Sequence, residues 1–190
     1  NTLMDGETLS VDDTENILPC SSYVTVVEGV TPGQLLDIFE NAGSNVENVD
    51  GRFAQVSRVK VGFDLESDRF ERIVSITLDD GTAIVKDGKV VTGAPTIALA
   101  TNSFSAGGGD DYPIADNPQV DLPVLYQQAL RNYVSDELGG VVTAQRYPEG
   151  GEGRLFAEQK PESVPEPSAV LGLLALAGFG ARTLRKRQSA

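Results

Sequence analysis

The chain has 190 residues, with 28 acidic side chains against 15 basic ones and no histidine, for a formal net charge of −13. Four of the basic residues crowd into the last nine positions, so residues 1–181 carry 11 positive against 28 negative charges. A body that acidic repels nucleic-acid phosphates and anionic lipid, which excludes both as bulk ligands, and a single cysteine excludes an intramolecular disulfide.

The N-terminal end reads Asn1-Thr2-Leu3-Met4-Asp5, with neither a basic start nor an early apolar run. The expectation is therefore the C-terminal portion of a longer precursor. Ser22–Val27 is rich in β-branched residues and predicts a strand entering the core. Thr31-Pro32-Gly33-Gln34 then supplies a helix start, with Thr as N-cap, Pro at the first helical position and Gln three residues on. Leu35, Leu36, Ile38, Phe39 and Ala42 give this helix an apolar face over 32–42, and Gly43 closes it. Val56–Asp64 and Arg72–Leu78 predict short strands, Asp80-Gly81 and Asp87-Gly88 tight turns, and Ile97–Ala100 a small apolar strand. A polar loop over 101–121 precedes a second expected helix, Pro123–Leu138, between Asp121 and Gly139-Gly140. A Gly/Glu-rich stretch leads to a last short strand at Arg154–Ala157. Regular alternation of strand and helix is missing, so the expected class is α+β with about two main helices. Residues 1–157 are long enough for one domain with its own core.

The last residues read differently. Val164-Pro165-Glu166-Pro167-Ser168 is followed by an apolar run of thirteen residues, Ala169–Ala181, and by Arg182, Arg185, Lys186 and Arg187. A helix needs about 20 apolar residues to cross a hydrocarbon core, so the run spans only marginally, with its basic flank left cytoplasmic. The structural alternative is an ordinary helix of the globular domain. The order Pro-Glu-Pro, apolar segment, basic cluster resembles the PEP-CTERM sorting signal of bacterial exported proteins. That resemblance implies an exported chain of the cell envelope or exterior, processed by an exosortase-type enzyme and anchored in the membrane through its C-terminal segment. The implied organisation is a domain at 1–157, a Pro/Glu-rich linker at 158–168, and a hydrophobic anchor helix with basic tail at 169–190.

The densest internal motif is Ala100-Thr101-Asn102-Ser103-Phe104-Ser105-Ala106-Gly107-Gly108-Gly109-Asp110-Asp111-Tyr112-Pro113. Taken alone, Gly107–Gly109 reads as a flexible loop with solvated turn aspartates, Phe104 as core, and Cys20 as a packed small apolar residue. No Lys-Ser/Thr follows the glycines, so this is not a phosphate loop, and one Gly-Gly-x-Asp is too little for a calcium repeat. The motif closely resembles the signature T-N-x-F-x-A-x-G-G-D-G-Y-P of the 5′-nucleotidase C-terminal domain. Ile17-Leu18-Pro19-Cys20, Gly51-Arg52-Phe53-Ala54-Gln55-Val56-Ser57 and Phe63-Asp64 resemble that family's other segments in the same order.

The resemblance implies a nucleoside pocket, whose parent enzyme holds two divalent metal ions in a separate catalytic metallophosphatase domain. Phe104 becomes one stacking ring and Asp110 the ribose acceptor. Asn102 joins the site, while Gly108 and Gly109 let backbone approach the nucleoside or nucleotide. A ring face binds any base by stacking worth about 1–3 kcal/mol, and a carboxylate accepts from two adjacent hydroxyls. Two positions depart from the pattern: Cys20 stands where a second stacking phenylalanine is expected, and Asp111 where the signature has glycine. Dinuclear centres use imidazole and carboxylate ligands, so a chain without histidine is expected to be inert by itself, with no cofactor of its own. Two functions follow: the nucleotide-recognition domain of an exported phosphohydrolase, or a non-catalytic degenerate surface module on the same anchor.

Overall fold

A computed structural model describes residues 8–48, 50–148 and 150–161, and the described residues up to Lys160 form one compact unit. The expected anchor helix, the Pro-Glu-Pro motif and the basic tail lie outside the described residues. Among the described residues no helix is long and apolar enough to cross a membrane.

The first element is a helix without an apolar stripe, α1 (Val11–Ile17), set by a capping box in which Ser10 and Asp13 bond each other's backbone. Strand β1 (Tyr23–Val30) follows, then α2 (Pro32–Gly43), which starts as expected. The Thr31 hydroxyl accepts the Gln34 N–H at 3.2 Å, and the Gln34 side chain accepts the Thr31 N–H at 3.1 Å. At the other end of α2 a β-carbon on Gly43 would lie 2.7 Å from the Phe63 ring. Glycine there lets the helix end rest on that ring.

Four strands then come in meander order, β2 (Val59–Phe63), β3 (Ile73–Leu78), β4 (Ala83–Lys86) and β5 (Lys89–Val90), and β6 (Ile97–Asn102) follows to pair with β1. Helix α3 (Ser103–Ala106), β7 (Gln119–Leu125), α4 (Tyr126–Asn132), a π-helical turn (Tyr133–Glu137) and β8 (Leu155–Ala157) complete the unit. One sheet has the order β6-β1-β7, the other β5-β4-β3-β2-β8, and only the β2/β8 pair is parallel. One core joins Val27 and Val30 of β1 to Leu35, Ile38 and Phe39 of α2 and to the second sheet through Val61, Ile73 and Ile84. These antiparallel pairs with helices set apart from them agree with the α+β reading.

Three expectations are corrected. The described residues hold four α-helices, two of them, α1 and α3, at places where none was expected. The loop expected over 101–121 contains the end of β6, all of α3 and the start of β7. The helix expected over Pro123–Leu138 begins only at Tyr126, because Gln119–Leu125 is claimed by the backbone of β1. Pro123 fits a strand here because β7 is an edge and its register slips between the Tyr23/Leu125 and Thr25/Asp121 pairs, so no ladder bond is forfeited.

The chain leaving β8 stays tied to the sheet: Glu158 N–H donates to the Phe63 carbonyl at 2.8 Å and Lys160 N–H to the Asp64 carboxylate at 3.1 Å. That backbone bond is the main reason the Asp64 carboxyl is held below its ordinary value of 3.8. The stabilisation from this clamp is complete above 3.8 and is lost as pH falls through the lowered folded value.

Candidate functional site

The signature loop is built by the end of β6. Asn102 is the N-cap of α3, its side-chain oxygen accepting the Ser105 N–H at 2.9 Å. That use binds its oxygen to the fold rather than leaving it for a ligand. The four-residue helix ends at Gly107, and Gly108 turns the chain with φ 88°. Asp110 and Asp111 follow at φ 55° and 62°, both left-handed. The glycine that the signature carries at the second of these positions would hold that conformation without strain, and Asp111 holds it at a cost. Asp111→Gly is accordingly expected to stabilise the fold by about 0.5–1 kcal/mol in urea titration.

Phe104 is not core. Its ring is 55% exposed and lies directly over Gly109, where a β-carbon would meet ring atoms at 2.5 Å. Gly109 is therefore required by the ring rather than by backbone torsion. Beside it, the Asp110 carbonyl accepts from the buried Asn41 side chain of α2 at 2.8 Å, which fixes the turn on the helix. The Asp110 carboxylate faces Gly51, where a β-carbon would sit 3.6 Å from Oδ2.

The Gly51-Arg52-Phe53 segment is locked to the same loop. Tyr112 Oη donates to the Arg52 carbonyl at 2.7 Å, and burial, aided by the Asp110 charge, pushes this phenol up to about 12. It thus remains a donor at any physiological pH. Arg52 turns its Nε to Asp50 at 3.0 Å, and its Nη1 lies 3.9 Å from Asp111. The Arg52 backbone N–H, with Asn45, holds the Asp50 carboxyl below its usual range.

Cys20 is exposed and lies ahead of β1. Its N–H donates to Tyr126 Oη at 3.1 Å, while the Gln127 amide donates to the carbonyls of Cys20 and Leu18 at 2.7 and 2.8 Å. The register pairs Val24 with Asn102, and Tyr23 N–H donates to the Ser103 hydroxyl at 3.1 Å. So the end of β1 that follows Cys20 meets the start of α3. The exposed Tyr23 is joined there to the residue next to Phe104.

Phe104, Gly108, Gly109 and Asp110 thus share one short turn. Four contributors carried no assigned role in the sequence: Gly51, Asn41, Tyr126 and Gln127. Gly51 lies in a recognisable segment, but a buried asparagine on an amphipathic helix and a glutamine 6% exposed leave no sequence signal.

The 5′-nucleotidase C-terminal domain model matches residues 2–117, most of the chain. The chain belongs to this family. A second model, the PEP-CTERM protein-sorting motif, matches residues 163–188. Among curated relatives of this 5′-nucleotidase C-terminal domain is the trifunctional nucleotide phosphoesterase protein YfkN of Bacillus subtilis, 26% identical over 146 residues, or 72% of this chain and 10% of that protein. Among solved structures, a 5′-nucleotidase precursor from Thermus thermophilus superposes with a TM-score of 0.65 and 26% identity, over 80% of this chain and 28% of that one. A putative 5′-nucleotidase from Staphylococcus aureus, solved with α-ketoglutarate, shares the fold at a TM-score of 0.52 and 18% identity, over 77% of this chain and 29% of that one. This chain therefore spans less than a third of each of these relatives.

Proposed function

We propose that this 5′-nucleotidase C-terminal domain recognises the nucleoside part of a phosphoester for an exported, envelope-anchored phosphohydrolase whose catalytic metals reside in another domain. The observation that carries the reading is the Phe104 ring, left exposed and seated on Gly109, the residue next to Asp110 in the same turn. A large aromatic face left in water forgoes burial energy, and a base stacking on it recovers that energy. Asp110 supplies acceptors for ribose hydroxyls. The chain's own residues do not fit a dinuclear metal centre: it has no histidine, and among the described residues no three His, Cys, Asp or Glu side chains are grouped to hold an ion.

On this reading the domain binds and orients, and activating water falls to the domain that holds the metals. With one ring and one carboxylate, adenosine is expected to bind the 190-residue chain with a dissociation constant near the millimolar range, about −4 kcal/mol. Phe104→Ala should reduce binding below detection by NMR chemical-shift titration, and unaltered binding in that variant would remove the ring from the site. The second reading, a degenerate module, is favoured by Cys20 and by the left-handed Asp111; absence of adenosine binding by the folded parent would select it.

The match to the sorting motif supports an exported, envelope-anchored position for this domain. Deleting Val164–Ala190 from the precursor should move it from the membrane fraction to the periplasm or medium. Unchanged fractionation would separate the motif from anchoring.

A further inference from the structure

A second concavity lies beside the candidate nucleoside turn. It has a volume of about 480 Å³, inside the range of small-molecule pockets, and Asp37, Glu40, Asn41, Arg52, Phe70, Asp111 and Pro113 line it. Phe104 and Asp110 are not among its lining residues. Phe70 is 59% exposed and has φ 65°, a conformation that bulky side chains rarely adopt. The turn that carries it is pinned on both sides: Arg69 donates to Asn45 at 3.0 Å, and the buried Arg72 donates to the Gly43 carbonyl at 2.8 Å. The fold therefore holds an exposed apolar ring in the wall of an acidic hollow.

Charge and geometry narrow the occupant. Arg52 is engaged by Asp50 and faces Asp111, so it offers little to an anion, while Asp37 and Glu40 leave the hollow negative. A bare metal ion does not fit either: Glu40 is taken up by the Arg72 and Ile73 amides and Asp111 faces Arg52, and among the described residues no three carboxylates are grouped to ligate an ion. What remains is a cation that needs no close ligands and gains from a ring face. Poorly hydrated alkylammonium groups have that property.

We propose that this hollow binds a small organic cation with an alkylated ammonium head, the head against the Phe70 ring and the charge balanced by Asp37. This site is distinct from the nucleoside turn and does not rest on the nucleoside reading. Choline titrated into the 190-residue chain should shift the amide signals of Phe70, Asn41 and Asp111. Its neutral isostere, 3,3-dimethylbutan-1-ol, should leave them in place. Phe70→Leu is expected to weaken choline binding about 3- to 30-fold, and Phe70→Tyr, which keeps the ring, to retain it. Asp37→Asn should weaken it further at low salt than at high salt. Equal shifts from choline and the alcohol, no shift at all, or full binding by Phe70→Leu would each overturn the proposal. Adenosine binding is read separately at Phe104, so the two sites fail or stand independently.

Discussion

Replacing Glu40 with alanine is expected to lower the stability of the domain by about 3 kcal/mol. Glu40 is 9% exposed on α2, and its two carboxylate oxygens accept the backbone N–H groups of Arg72 at 2.8 Å and Ile73 at 2.9 Å. Those donors stand at the start of β3, and Arg72 and Ile73 are both buried, so losing the carboxylate leaves two buried amides without their acceptor. An unsatisfied buried N–H costs about 1–3 kcal/mol, and two are created at once. Glu40→Gln keeps one acceptor oxygen and should lose about half as much. The check is urea unfolding of parent and variants, with a lower midpoint at unchanged slope, or a melting temperature lower by about 6–12 °C for Glu40→Ala. A loss under about 1 kcal/mol would mean that the two amides find other partners.

Cys20→Phe is expected to tighten adenosine binding by about 1–3 kcal/mol, roughly a 5- to 150-fold gain, by giving the base a second face. The register supports the geometry: β1 leaves the Cys20 turn and pairs Val24 with Asn102, two residues ahead of Phe104. Tyr126 and Gln127 hold the Cys20 backbone from the other side, so a new ring has a fixed base. The converse change is Gly109→Ala, whose β-carbon would occupy the place of the Phe104 ring. The ring is half exposed and can swing out at little cost to folding, but its stacking face then moves. Affinity should fall toward that of Phe104→Ala while the melting temperature shifts by only a few degrees. Parent-like affinity in Gly109→Ala would show that the observed ring position is not the binding platform. No gain from Cys20→Phe would show that the turn does not face the base.

Local rules account for what was legible in the chain itself. The capping box at Thr31 and Gln34 and the apolar face of α2 are set by neighbours three or four residues away, and the alternation that predicted strands at Val56–Asp64 and Arg72–Leu78, observed as Val59–Phe63 and Ile73–Leu78, by neighbours two residues away. So is the cap at Ser10 and Asp13, a signal present in the sequence that marked an unexpected helix. The second helix went astray because a Pro-initiated amphipathic pattern and an edge strand with Pro at a register slip look alike until a partner strand is known. Phe104 likewise carries no mark in its own codons of whether it packs or faces solvent.

The sequence by itself determined the family, the sorting motif, the α+β class and the absence of imidazole chemistry, because each rests on residue identity or short spacing. Tertiary structure alone decided that the Phe104 ring sits outside on Gly109, that Asn102 serves as a cap, and that Asn41 and Gly51 frame Asp110. The physical reason is distance along the chain. Asn41 lies 69 residues and Gly51 59 residues ahead of Asp110, and only the packing of α2 and the 50–53 turn against the signature loop, closed by the Tyr112 bond to Arg52, brings them within reach.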